Sequence, residues 1–131
     1  MNKQKPKNQT KNQTKNKFNA ENMSLGRIAS QVSLVLQNKN SADYQPNKIS
    51  DNNPVVVFNL AKAKFTGQKL RDKKYYKYSG YPGGLKEKST KELFNKDPRK
   101  LFLLLIKNML PKNRLQKKRL QKLKLFVNEE K

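Results

Sequence analysis

The chain has no histidine, cysteine or tryptophan, and only 9 acidic residues among 131. Without cysteine there can be no disulfide, no thiolate chemistry and none of the common zinc frameworks, which excludes a secreted disulfide scaffold. Without histidine the usual general base and imidazole metal ligand are missing too. The acids that remain, such as Asp43, Asp51, Asp72, Glu87, Glu92 and Asp97, are scattered, and none form a pair suited to acid-base work. The glycines of YPGGLK (81–86) lack the Gly-Lys-Ser/Thr ending of a phosphate-binding loop and the G-x-G-x-x-G of a dinucleotide site. The expectation is a protein that is not an enzyme, with no cofactor, no metal and no small-molecule substrate. Long apolar runs are absent as well. LFLLLI (101–106) is too short to span a bilayer, and no signal-peptide core follows the basic N-terminus, so an integral membrane protein is not expected.

What is abundant is positive charge. Thirty-one Lys and Arg against 9 Asp and Glu give +22, a self-repulsion that a polyanion would relieve. Nucleic acid supplies a dense line of phosphates, and each one neutralised releases a condensed counterion, so many lysines on one surface convert directly into affinity. The apolar share, 34%, allows a single modest core.

Residues 1–17 hold six lysines with Asn, Gln and Thr, repeat KNQT, and read as a disordered basic tail ahead of one domain at 18–131. From Ser24 the pattern changes. Leu25, Ile28, Ala29, Val32, Val35 and Leu36 recur at three- and four-residue spacing behind a serine cap, which predicts an amphipathic helix. Residues 38–54 read as a loop. VVVF (55–58) is a short β-branched run of the kind found in strands covered on both faces. A further strand is expected at 74–78, and the chain beyond Gly84 reads as helical. One helix is expected around STKELFNK with Ser89 as cap, and a second from Asp97-Pro98 to Pro111. A third runs through RLQKKRLQKLK behind Asn113, with Leu115, Leu120 and Leu123 on one side and basic residues on the rest; a last strand is placed at 125–127. Strands separated by helices predict an α/β arrangement with parallel pairing.

Two stretches carry the functional argument. Between Asp97 and Glu129 there is no acid, while Arg99, Lys100, Lys107, Lys112, Arg114, Lys117, Lys118, Arg119, Lys122 and Lys124 accumulate. A solvated surface normally mixes both signs, so this is an electrostatic footprint for phosphates. The other is YYKYSGYPGG (75–84). Gly80, Gly83 and Gly84 permit positive φ and close approach of backbone N–H groups to phosphate, flanked by Lys77 and Lys86. Tyr75, Tyr76, Tyr78 and Tyr81 can stack on unpaired bases or hydrogen-bond to sugar and phosphate. In a strand Tyr76 and Tyr78 share one face and Tyr75 takes the other, so at least one of these faces is expected in the core. Charge alone leaves open two other readings, a regulator binding an mRNA hairpin and a peripheral binder of anionic membranes through the basic helix.

The order of the motifs narrows this. LGRIAS (25–30), Thr66-Gly67, DKKYY (72–76), SGYPGG (79–84) and MLPKNRL (109–115) occur in the order and approximate spacing of the bacterial-type large-subunit ribosomal protein of the thirteenth universal family, which the chain resembles from about Phe18 to Val127. The resemblance implies a three-layer α/β/α fold around a small, mainly parallel sheet. It also implies a place in the large ribosomal subunit of a bacterium or an organelle of bacterial descent, against ribosomal RNA and neighbouring ribosomal proteins, early in assembly and without catalysis. Carried over by position, it makes Ser79, Gly80, Tyr81, Gly83 and Gly84 of the loop and Lys112, Asn113 and Arg114 of the junction RNA-contacting. Arg27, Lys73, Lys74, Lys77, Lys117, Lys118 and Lys122 become phosphate partners; Lys69, Arg71, Tyr76, Tyr78, Lys86 and Arg119 complete the candidate set. The chain departs from the family at KFNA (17–20), where a tryptophan-tyrosine strand is usual. It also departs at YQPN (44–47), which lacks a histidine after proline, at Asn108 and Gln116 in place of glycines, and at Lys117 in place of arginine.

Overall fold

The computed structural model describes residues 16–49 and 54–129. Along them run β1 (Lys17–Asn19), α1 (Leu25–Leu36), β2 (Val55–Phe58), α2 (Lys69–Asp72), β3 (Lys74–Tyr78), β4 (Leu85–Ser89), α3 (Thr90–Lys96), α4 (Pro98–Met109), α5 (Leu115–Gln121) and β5 (Leu123–Leu125). Residues 1–15, which hold nearly all of the expected tail, lie outside the described residues; Lys17, assigned to that tail, opens β1.

The β-branched run at 55–58 becomes the middle strand of a three-stranded parallel sheet ordered β1-β2-β5. Its side chains alternate, so Val55 and Val57 enter the main core while Val56 is buried on the opposite face. The sheet is the middle layer of an α/β fold, as its continuous apolar run requires. The helical spacing from Leu25 to Leu36 produces the buried stripe of α1, which packs along α4. Ser24 does not cap α1 with its side chain. The Leu25 amide instead donates to the Lys64 carbonyl at 3.1 Å, in a bridge between the Ser24 and Lys64 backbones. From α4 come Leu101, Phe102 and Ile106, each no more than 1% exposed. Burying side chains of that size contributes roughly 1.5–3 kcal/mol each.

Of the capped starts read from the sequence, those at Ser89 and Asp97 are present. The Ser89 hydroxyl accepts from the Glu92 amide at 3.2 Å, and Asp97 accepts from the Arg99 amide at 3.1 Å with Pro98 at the first helical position. Three elements differ from expectation. Leu85–Ser89 is a strand, because its residues pair antiparallel with β3 from Tyr78↔Leu85 to Lys74↔Ser89, forming a separate two-stranded hairpin outside the parallel sheet. The basic helix stops at Gln121, and its first turn has no side-chain cap, since Asn113 offers only its backbone carbonyl to the Gln116 amide (3.1 Å). The last strand falls two residues early, at Leu123–Leu125, where Val55↔Leu123 and Val57↔Leu125 align apolar positions.

Candidate nucleic-acid interface

The hairpin β3–β4 is rooted by buried Thr90, whose amide and hydroxyl both donate to the Lys73 carbonyl, at 3.0 and 2.6 Å. From that root the strands project outward, and their register sorts the side chains onto two faces. One face carries Tyr75, Lys77, Lys86 and Lys88. Tyr75 is partly buried against the core with the Lys73 ammonium 5.3 Å from its ring centre, while the lysines are exposed. Lys77 and Lys86 stand directly opposite each other, a like-charged pair that an anion between them would relieve. The other face carries Tyr76, Tyr78 and Leu85, exposed by 62, 63 and 59%, which makes it an apolar and aromatic platform open to solvent. The division expected of the tyrosines therefore holds, with Tyr75 the one turned to the core.

Six residues, Ser79–Gly84, close the hairpin. The Gly84 amide donates to the Tyr81 carbonyl at 2.9 Å around Pro82 and Gly83, and Gly83 has φ +73°, the positive value that the third position of a type II turn demands. Gly80 has φ +90°. At Gly84 the requirement is space, since an added Cβ would collide with the Ser79 hydroxyl and lie 3.0 Å from the Tyr81 carbonyl. The glycines thus fold the loop so that Tyr81, 75% exposed, forms its tip.

Lys74 is tied down on the tyrosine face. Its ammonium lies 3.1 Å from Glu87, and the hydrogen bond and charge of that carboxylate hold its pKa above the ordinary lysine value. Lys69 and Arg71 are exposed on α2, one short turn before the hairpin, with Lys69 within 3.5 Å of the Thr66 hydroxyl. Arg27 is exposed on a different element, α1.

The second group lies where α4 passes into α5. Lys112, Asn113, Arg114, Lys117 and Lys118 are exposed there, and Lys122 is half-buried. Gln116 shapes this junction by donating to the carbonyls of Lys107 (2.8 Å) and Leu110 (3.3 Å), groups that the end of α4 leaves without helical partners. Arg119 is a correction. It is 2% exposed and donates to the Pro46 carbonyl at 3.2 Å, so it does not join the exposed lysines as a surface phosphate ligand. The helical period explains this, because position 119 falls one turn after partly buried Leu115 and next to partly buried Leu120, inside the inward stripe of α5.

Two contributors are not singled out by sequence reasoning. Lys88 belongs to the lysine face of the hairpin and Leu85 to the tyrosine platform, both hidden because the segment after Gly84 reads as helical. With a single apolar residue, LKEKS carries no alternation of its own that could have found them; its pairing with β3 makes it a strand. Among the described residues no cluster of His, Cys, Asp and Glu could hold a metal ion, and no helix is long and apolar enough to cross a membrane.

Comparison with known proteins places the sequence in a family. The model of the family described as Ribosomal protein L13 matches residues 2–131. "Large ribosomal subunit protein uL13" of Thermosipho africanus is 45% identical over 113 residues, covering 86% of this chain and 75% of the relative. The protein of that name from Pelobacter propionicus is 46% identical over 107 residues, covering 82% and 75%. That from Coxiella burnetii is 41% identical over 112 residues, covering 86% and 78%. With this match along its length, and with the parallel sheet, glycine-tyrosine hairpin and basic junction that accompany it, the chain belongs to the uL13 family of large-subunit ribosomal proteins.

Proposed function

We propose that this constituent of the large ribosomal subunit binds and bridges segments of large-subunit rRNA, so that subunit assembly and translation can proceed. The observation that carries the reading is the hairpin. It exposes three tyrosines and a glycine turn beside Lys77, Lys86 and Lys88, on an element that adds nothing to the parallel sheet. Tyr76, Tyr78 and Tyr81 offer ring faces to unstacked bases, and backbone N–H groups of the glycine turn can approach phosphate closely. The α4–α5 junction supplies a second site through Lys112, Asn113, Arg114, Lys117 and Lys118, with Lys122 at its margin. Arg27, Lys69, Arg71, Lys73 and Lys74 add positive charge around these two sites.

Two separate sites on one rigid domain let the protein hold two RNA segments at once, neutralising the phosphates that would otherwise keep them apart. The role is structural and needs no reaction. Residues 1–17 extend the charge ahead of a single folded domain at 18–131. Other large-subunit proteins are the expected protein neighbours, and the setting is a bacterial-type ribosome. Density-gradient fractionation of cell extract at low salt tests the reading. The protein should travel with large subunits, and recovery only in free fractions would reject it.

A further inference from the structure

Arg119 places a buried charge against one neutral acceptor. One terminal nitrogen reaches the Pro46 carbonyl at 3.2 Å, the Nε meets no acceptor, and no carboxylate among the described residues lies in ion-pair range. A buried guanidinium without a counter-charge is less stable than an apolar side chain of similar volume, so packing does not account for arginine here.

What the contact achieves is geometric. Gln45–Lys48 is a turn closed by the Lys48 amide on the Gln45 carbonyl (3.2 Å), with Pro46 at its second position. Further along, the Val55 amide donates to the Lys122 carbonyl at 2.9 Å. That bond opens the β2–β5 pairing, so what ties the segment between α1 and β2 to α5 itself is the bond from Arg119 to Pro46. Two residues of chain span at most about 7 Å, so the backbones of Tyr44 and Lys48 lie within that distance of Pro46, beside α5. From 38 to 49 no residue is buried, and Lys39, Asn40, Tyr44, Gln45, Asn47 and Lys48 are exposed. A loop this long with no secondary structure of its own is commonly functional. Its amides, phenol and lysines suit phosphate, sugar and base edges, whereas the centre of a protein interface calls for apolar anchors that it does not expose.

We propose that this loop is a third rRNA-contacting surface, touching RNA through Tyr44 and Lys48, and that Arg119 is the positioning residue that fixes it beside α5. The proposal rests on the reading of α5 as an rRNA-binding element. Lysine acetylation followed by mass spectrometry tests it on the full chain, with and without in vitro transcribed bacterial large-subunit rRNA at low salt. RNA should protect Lys48 severalfold alongside Lys118. In Arg119→Met the Lys48 protection should vanish while Lys118 stays protected and the thermal midpoint does not fall. If Lys48 reacts at its free rate while Lys118 is protected, the loop is no RNA surface and the α5 reading stands. Protection of Lys48 only in assembled subunits would assign the loop to a protein partner and overturn the proposal. Full Lys48 protection in Arg119→Met would remove the positioning role, and if neither lysine is protected it is the α5 reading that falls. Should Arg119→Met fail to fold, the wild-type footprint still decides the surface. Arg119→Lys, which keeps the charge without the planar fork, then decides the positioning.

Discussion

Gln116 and Arg119 are three residues apart on one short helix, and each does work that residue type alone conceals. Gln116 stands where the family usually has glycine, and its side-chain amide turns back onto the Lys107 and Leu110 carbonyls. Gln116→Ala should lower stability by about 1–3 kcal/mol, the sum of two hydrogen bonds at roughly 0.5–1.5 kcal/mol each, read as a shift of the urea midpoint at constant slope. An unchanged midpoint would mean that water replaces the glutamine at the end of α4 without loss. Arg119 is legible in the sequence as a cation but not as a buried one. A run of Lys and Arg on both sides of it in RLQKKRLQK masks the inward stripe, and only the carbonyl of a loop more than seventy residues away in sequence reveals where it points. By contrast Gly83 can be read from the sequence, because proline followed by glycine encodes its turn locally.

Among the elements, those whose signals are local match their expected bounds. Helix α4 is one, with Asp97 capping it, Pro98 opening it and Pro111 following its end. Burial pushes the Asp97 carboxyl up, but the Arg99 amide, the Arg99 charge and the Lys100 amide outweigh it and hold the pKa below its ordinary 3.8. A depressed folded-state value means the carboxylate stabilises the fold above the unfolded pKa and loses that contribution as pH falls through the folded one. Wild type should therefore be more stable than Asp97→Asn at neutral pH, and the gap should close in acid; chemical denaturation at both pH values measures it, and a gap constant with pH would refute the charge contribution. The hairpin is half legible. β3 announces itself through β-favouring tyrosines, whereas β4, LKEKS, has one apolar residue and is a strand only because β3 pairs with it. The same holds for β5, whose start is set by alignment of Leu123 and Leu125 with Val55 and Val57 across the sheet rather than by its own sequence.

Across the whole molecule, charge is segregated by local pairing. Among the described residues Glu21 pairs with Lys62 at 3.2 Å, Glu87 with Lys74 at 3.1 Å, and Asp97 with Arg99 and Lys100 at 3.4 and 3.6 Å. These three acids are thus engaged away from the 110–124 stretch, which itself contains no acid. If about 6–10 phosphates are contacted, affinity for rRNA should fall roughly 10³- to 10⁵-fold between 50 and 200 mM salt. Replacing Lys117 and Lys118 with alanine should reduce the slope of log affinity against log salt by roughly 1 for each phosphate no longer neutralised, with little change in thermal midpoint. A slope unaltered by both replacements would remove α5 from the interface. The α/β class and the sense of the charge are legible from composition and spacing; which cations face outward is not, because that depends on packing between distant segments.

The borders of the two sheets have a further consequence. The parallel sheet ends on each side in a strand of three residues, and both strands of the hairpin carry lysines along their open flanks. Short or cationic margins make poor templates for strand addition by another copy. A ribosomal protein made ahead of its RNA can therefore wait in the free state without zipping onto its siblings, so the lysines we propose as RNA contacts also act as guards against self-aggregation.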